Sequence, residues 1–115
     1  MIAQRNQDCI DACQACAVSC DNCLEADLRE TKDLQMLANC IRLNRDCSKM
    51  CYTSVTFMAS DSPFAHQVCA LCAQLCDACA EECEKHAQMH DHCRECAEAC
   101  RRCAEACRNM MAMAA

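Results

Sequence analysis

Glycine is absent from this chain of 115 residues, proline occurs once, at Pro63, and the aromatic residues are two Phe and one Tyr. Without glycine the chain has no residue that adopts positive φ freely, which disfavours tight β-hairpins and phosphate-binding glycine-rich loops. The shortage of large apolar side chains also leaves little material for an ordinary core. The sequence therefore predicts neither a β-rich fold nor a nucleotide-binding loop.

Basic patches and long apolar runs are missing as well. The formal net charge is -6 and the aromatic content is low, so the chain lacks the features by which proteins bind nucleic acid. No apolar run approaches the roughly 18 residues of a membrane span. The first eight residues are polar and lack the apolar stretch of a signal peptide. We therefore expect a cytoplasmic protein that binds neither nucleic acid nor membrane.

Cysteine is what the chain has in excess, with 18 residues. These make up about 16% of the chain, well above the roughly 8–10% that already marks a cysteine-specialised protein. Three of the four clusters have spacings that alternate strictly between three and four, which places their cysteines on one face of a helix. We call this face of each helix the cysteine stripe. The clusters are Cys9, Cys13, Cys16, Cys20 and Cys23; Cys40, Cys47 and Cys51; Cys69, Cys72, Cys76, Cys79 and Cys83; and Cys93, Cys96, Cys100, Cys103 and Cys107.

The second cluster keeps the same register but has gaps. The residues expected to complete its stripe are Met36, Asn44 or Leu43, Val55 or Ser54, and Met58.

Caps and breakers predict four helices, at about 3–28, 32–59, 63–86 and 91–110. Pro63 suits a first helical turn, Asp61 or Ser62 can cap that helix, and Asp91 can cap the last one. Ala, Glu, Gln, Leu, Met, Lys and Arg, which favour helices, make up much of the remainder. Helices of this length joined by short connections predict an all-α fold, namely an antiparallel up-down-up-down four-helix bundle with a cysteine-lined core. We expect residues 1–115 to form this one domain.

Eighteen thiols on four converging stripes predict a metal site. Packing alone does not explain them, because Leu would fill the same space without the risk of oxidation. Disulfides within one helix would be strained, because Cβ atoms three or four residues apart are roughly 5–6 Å apart and a disulfide needs about 3.8 Å. Thiols are also kept reduced in the cytosol. A disulfide-structural or thiol redox protein nevertheless stays open as an alternative.

Charge favours copper(I) among the metals that soft thiolates bind. One monovalent ion per thiolate gives a neutral core, so we expect many Cu(I) ions per chain, roughly one per cysteine. Zinc needs four ligands converging on a tetrahedron, which a linear stripe supplies awkwardly. The spacing of iron–sulfur ferredoxins is absent. A zinc or general thiophilic-metal buffer also remains open.

Catalysis is not expected. Pairs such as Cys76 and Cys79 have the spacing of thiol–disulfide exchange motifs, but no strand is predicted beside them. No thiol stands out as an activated nucleophile.

Further candidate ligands lie at one end of the bundle. His86, His90 and His92 fall at the connection between the third and fourth helices, and Met36 is expected at the same end. Imidazole and thioether both bind copper, so this end is the candidate place where copper enters. The residues expected to pack at the other end, or to belong to an unstructured tail, are Met58, Met110, Met111, Met113 and His66.

Four segments of the chain resemble the four-helix-bundle copper storage proteins of bacteria, specifically the cytosolic kind without an export signal. These segments are Cys40–Cys47, Asp61–Phe64, Cys69–His86 and His90–Cys93. The resemblance covers nearly the whole chain, and it includes a second helix with fewer cysteines. It implies homotetramers of bundles, each filled with many Cu(I) ions bound mainly by cysteine pairs. The expected role is cytosolic copper storage and buffering in copper homeostasis, with copper donor or acceptor proteins as candidate partners.

Overall fold

Four helices make up most of the chain. The computed structural model describes residues 2–113. The helices are α1 (Gln4–Leu28), α2 (Ala38–Ala59), α3 (Ala65–Glu84) and α4 (Asp91–Met113). Between residues 2 and 113 there is no β-strand.

The helices pack as a square in which each contacts its two neighbours. α1 packs against α2 and α4, and α3 packs against the same two helices. The assembly measures 47 × 19 × 19 Å, as expected for helices of about 30–40 Å lying side by side. Short connections make successive helices antiparallel. The prediction of an all-α four-helix bundle is confirmed.

The two ends of the bundle carry different connections. The histidine end carries the connections 29–37 and 85–90. The proline end carries the connection 60–64, the start of α1 and the end of α4.

The connection between α1 and α2 is longer than predicted. The second helix begins at Ala38 instead of near residue 32, and turns occupy the intervening segment. The helical register therefore does not reach back to Met36, whose surface is 68% exposed, and Leu37 is buried in its place. The prediction that Met36 lies on the cysteine stripe is wrong.

The turn between α2 and α3 is built without glycine. Asp61 adopts a left-handed conformation with φ 52°, which short polar side chains tolerate better than most. The hydroxyl of Ser62 accepts a hydrogen bond from the Phe64 backbone N–H at 3.1 Å. This satisfies a donor that the start of a helix leaves free, and α3 then begins at Ala65. The stop and restart predicted around Pro63 is present.

The last helix is longer than expected and reaches Met113. Met110 is buried and Met111 is partly buried against the core, while His66 is exposed. The side chain of Met113 lies outside the described part of the chain.

The outer surface of the bundle is largely polar. Arg101 lies within 3.2 Å of Glu84 and Asp77 on the neighbouring helix, and Arg108 also pairs with Asp77. Within residues 2–113, no helix combines the length and the apolar character needed to cross a bilayer.

Candidate metal centre

The core of the bundle is a column of thiols. All 18 cysteines are free and buried, with no exposed surface. Small neighbours such as Ala17, Ala73, Ala80 and Ala104 are buried beside them. These alanines let the helices approach closely, so that short cysteine side chains meet at the centre.

The register arranges the column in five layers, each with one residue from every helix. Eighteen of the twenty positions are cysteine. From the proline end to the histidine end, the layers are Cys9, Ser54, Cys69 and Cys107; Cys13, Cys51, Cys72 and Cys103; Cys16, Cys47, Cys76 and Cys100; Cys20, Asn44, Cys79 and Cys96; and Cys23, Cys40, Cys83 and Cys93.

Sulfur atoms are close together both across and along the helices. The Sγ atoms of Cys47 and Cys76, on facing helices, lie 3.5 Å apart. Those of Cys16 and Cys20, on one helix, lie 4.0 Å apart. The structure contains sets of four cysteines whose Sγ atoms all lie within 4.8 Å of one another, for example Cys16, Cys47, Cys51 and Cys76. Each sulfur therefore has several others with which it can share a metal ion.

Asn44 and Ser54 are the two exceptions in the column, and both are fully buried. They resolve the two alternatives that the sequence left open on α2, because Leu43 and Val55 are only partly buried. The Ser54 hydroxyl donates to the Met50 carbonyl at 2.8 Å. This bond within the helix satisfies the hydroxyl without help from the thiols.

The Asn44 amide is bonded to the thiols around it. Its Oδ1 lies 3.1 Å from the Sγ of Cys79 and 3.3 Å from that of Cys96, and both thiols donate to it. Its Nδ2 donates to the Cys40 sulfur at 3.5 Å. The side chain thus satisfies its polar atoms inside the column, as buried amides must.

Hydrogen bonds among the thiols make their acidities unequal. Thiols of Cys23, Cys83 and Cys93 stabilise the Cys40 thiolate and lower the pKa of Cys40. At the opposite end, Cys107 lowers the pKa of Cys69, but Cys9 and burial outweigh it and bring that pKa to about 12. Neutral thiols tolerate burial in the column, whereas many thiolates together would need cations to neutralise them.

A buried carboxylate closes the column at the histidine end. Asp27 continues the α1 stripe four residues after Cys23 and is fully buried. Its Oδ1 lies 2.8 Å from His92 Nε2 and 3.6 Å from the Cys93 sulfur, and the Cys23 sulfur is 4.0 Å from the carboxylate. Burial, followed by the nearby Cys40, raises the pKa of Asp27 to about 7, although His92 acts in the opposite direction. Asp27 therefore joins two thiols to an imidazole that is partly exposed.

The other two histidines at this end also face carboxylates. His86 Nε2 lies 3.0 Å from Glu82 Oε2. His90 Nε2 lies 3.4 Å from Asp33 Oδ2, and the His90 and His92 ring centres are 5.2 Å apart. The structure brings His90 and His92 together at the mouth of the column, whereas His86 is held at the side by Glu82.

Sequence reasoning missed Asp27 as a site residue, and it left Asn44 undecided. Both are on the stripes, since Asp27 extends the spacing of Cys20 and Cys23, and Asn44 lies four residues after Cys40. Extending the alternation of three and four past the last cysteine would have found Asp27.

Comparisons with known proteins agree with this arrangement. The family model described as copper storage protein matches residues 2–112. A curated protein of Bacillus subtilis (strain 168), an uncharacterised cysteine-rich protein called YhjQ, is 47% identical over 70 residues. That match covers 61% of this chain and 64% of the relative.

Two solved structures share the fold over most of their length. The Cu(I)-bound copper storage protein BsCsp3 is 46% identical and has a TM-score of 0.88, covering 94% of this chain and 99% of its own. A cytosolic copper storage protein from Streptomyces lividans, solved with five coppers, is 37% identical with a TM-score of 0.91, covering 95% of this chain and 93% of its own. Family match, fold and thiol column together establish that the chain belongs to the copper storage protein family.

Proposed function

We propose that this protein stores Cu(I) on the thiolates of its core, in the cytosol. The observation that carries the proposal is the column itself, in which 18 of the 20 positions of five buried layers are free cysteines. A core made for packing alone would use larger apolar residues, which bury more surface per position.

Charge balance explains why the ion is monovalent. Each Cu(I) that displaces one thiol proton leaves the charge of the column unchanged, so filling the column does not bury net charge. One copper per thiolate corresponds to about 18 ions, with sulfurs shared between neighbours. Zn²⁺ fits the sets of four sulfurs geometrically, but an isolated Zn²⁺ with four thiolates leaves a net charge of about −2 buried in the core. A zinc buffer is therefore the second candidate.

Uptake is proposed at the histidine end. Copper reaching Cys23 or Cys93 must displace a thiol proton, and the Asp27 carboxylate is positioned to accept it from either sulfur. His92, which contacts Asp27 at 2.8 Å and is partly exposed, can pass the proton to solvent. His90 and His92 would bind the incoming ion more weakly than thiolates and so release it inward.

We further propose that the protein is a homotetramer in the cytosol. On α3, Leu71 is exposed and Val68 and Leu75 are partly buried, an apolar strip suited to contact with another copy in a homotetramer. Cytosolic location is supported by the Streptomyces relative, which is described as cytosolic. Copper donor or acceptor proteins are the partners that such storage calls for.

An anaerobic titration of reduced protein with Cu(I), against a competing chelator of known affinity, tests the proposal. We expect saturation at about one copper per thiolate, or about 15–20 per chain. A parallel titration with Zn²⁺ should reach far fewer ions. Saturation at one or two coppers, or tighter uptake of zinc, would reject copper storage in the core.

A matched pair of variants locates the ions. Cys47→Ser with Cys76→Ser removes two facing thiols from the central layer and should lower the capacity by about two coppers on the one-per-thiolate ratio. Ser19→Ala, one residue before Cys20 on the same helix, should leave the capacity unchanged.

A further inference from the structure

Two methionines close the column at the proline end. Met58 follows Ser54 by four residues on the α2 stripe, and Met110 follows Cys107 by three on the α4 stripe. Their surfaces are 1% and 2% exposed, and both belong to the same buried cluster as the cysteines. They therefore occupy the positions of a sixth layer, directly beyond the outermost thiols.

The same two side chains line cavities that open to solvent. Cavities of about 330 and 280 Å³ both include Met110 in their walls, and a smaller one of about 110 Å³ includes Met58. All three also include Arg5. Met58 and Met110 thus stand between the thiol column and three spaces around the end of the bundle.

The layer next to these methionines lacks one sulfur. Ser54 occupies the place of its fourth cysteine, and the Ser54 hydroxyl is already bonded to the Met50 carbonyl at 2.8 Å. Cys9, Cys69 and Cys107 remain, and the sulfurs of Cys9 and Cys107 lie 3.5 Å apart. A copper ion at the outer face of this layer would have three thiols on one side, and a soft donor from the adjacent layer can complete its coordination.

Thioether sulfur is such a donor. It is a soft ligand suited to Cu(I), and because it is uncharged it binds without adding negative charge. The long unbranched methionine side chain also adjusts its position more easily than leucine.

We propose that Met58 and Met110 form a terminal Cu(I) site with the thiols of Cys9, Cys69 and Cys107, and that copper exchanges with solvent through this site. The site makes a second port of the column, opposite the histidines, and it holds copper less tightly than the inner layers because part of its donor set is thioether. This inference rests on the proposed storage of copper in the thiol column.

Selenium absorption spectroscopy of selenomethionine-labelled protein tests the site directly. The protein is loaded anaerobically with Cu(I) to saturation, and the fine structure at the selenium edge is searched for copper as a neighbour of selenium. We expect copper in the selenium shell of the otherwise unchanged protein. This signal should be lost in the variant that combines Met58→Leu with Met110→Leu, substitutions that keep the volume nearly constant.

The matched control combines Met50→Leu with Met111→Leu. Both methionines are partly buried against the core but are off the stripes, so the copper signal should be retained. The absence of copper from the selenium shell of the loaded, otherwise unchanged protein would overturn the inference, whatever the variants do. Persistence of the signal in the Met58 and Met110 variant would overturn it as well.

Thiolate-to-copper absorption in the same samples separates this inference from the proposed function. If the thiols fill with copper and selenium has no copper neighbour, storage stands and the thioether site is rejected. If the thiols take up no copper, the proposed function fails and the terminal site falls with it. Release to a competing chelator should also be slower in the Met58 and Met110 variant than in the control, since one of two ports has lost its ligands.

Discussion

Replacing Ser54 by Cys is expected to add one copper to the capacity of the protein. Ser54 is fully buried and occupies the fourth place in the layer of Cys9, Cys69 and Cys107. A nineteenth thiol at this position completes the layer. On the ratio of one ion per thiolate, the capacity rises by about one Cu(I) per chain.

The substitution should be tolerated by the fold. Sulfur is somewhat larger than oxygen, and the hydrogen bond from the Ser54 hydroxyl to the Met50 carbonyl at 2.8 Å is lost. A slightly overfilled position and one lost hydrogen bond together cost about 1–3 kcal/mol of unfolding free energy. Unfolding of the copper-free variant in urea measures this cost.

Native mass spectrometry measures the capacity, because it resolves single copper ions. The matched control is Thr53→Cys, which adds a thiol at the neighbouring exposed position on the same helix. Thr53→Cys should hold no additional copper in the presence of a strong chelator, whereas Ser54→Cys should hold one more than the unchanged protein. Equal copper numbers for the unchanged protein and a folded Ser54→Cys variant would refute the layered one-per-thiolate account.

Three further results are expected. Asp27→Asn should slow copper loading without lowering the final capacity, because the carboxylate no longer accepts a proton from Cys23 or Cys93; stopped-flow absorption measures the rate, and equal rates would exclude the proposed role. The pKa of Asp27 is about 7 in the folded copper-free protein, against an ordinary 3.8. Between these two pH values the folded protein therefore keeps a proton on Asp27 that the unfolded chain has lost. Its stability relative to Asp27→Asn should therefore fall from about pH 4 to pH 7, by up to about 1.4 kcal/mol per unit, and urea unfolding that shows a constant difference would contradict this. Asp77→Asn removes exposed ion pairs with Arg101 and Arg108 and should lower the unfolding free energy by less than about 1 kcal/mol. A larger loss of stability in thermal unfolding would contradict the view that these pairs contribute little.

The fold could be predicted from the sequence because one pattern repeats four times. The alternation of three and four is the periodicity of a helix face, and no glycine or proline interrupts it within a cluster. The start of α2 could not be placed in the same way. Residues 32–37 favour helix locally, yet the connection forms turns that bury Leu37 and leave Met36 exposed.

The thiol column followed from the sequence, but the polar groups within it did not. For two positions of the α2 stripe the sequence left a choice, between Asn44 and Leu43 and between Ser54 and Val55. The sequence of a single helix does not reveal which of its sides the neighbouring helices cover. The link from Asp27 to His92 joins residues 65 positions apart and depends on how the α1 end meets the start of α4. Periodicity along one helix contains no information about that contact.

Anomalous scattering from copper in crystals of the loaded protein tests the central claim most directly. The account predicts a row of copper peaks along the axis of the bundle, each beside sulfurs of the five layers from Cys9 to Cys93. Copper confined to the surface near His86, His90 and His92, with an empty core, would contradict it.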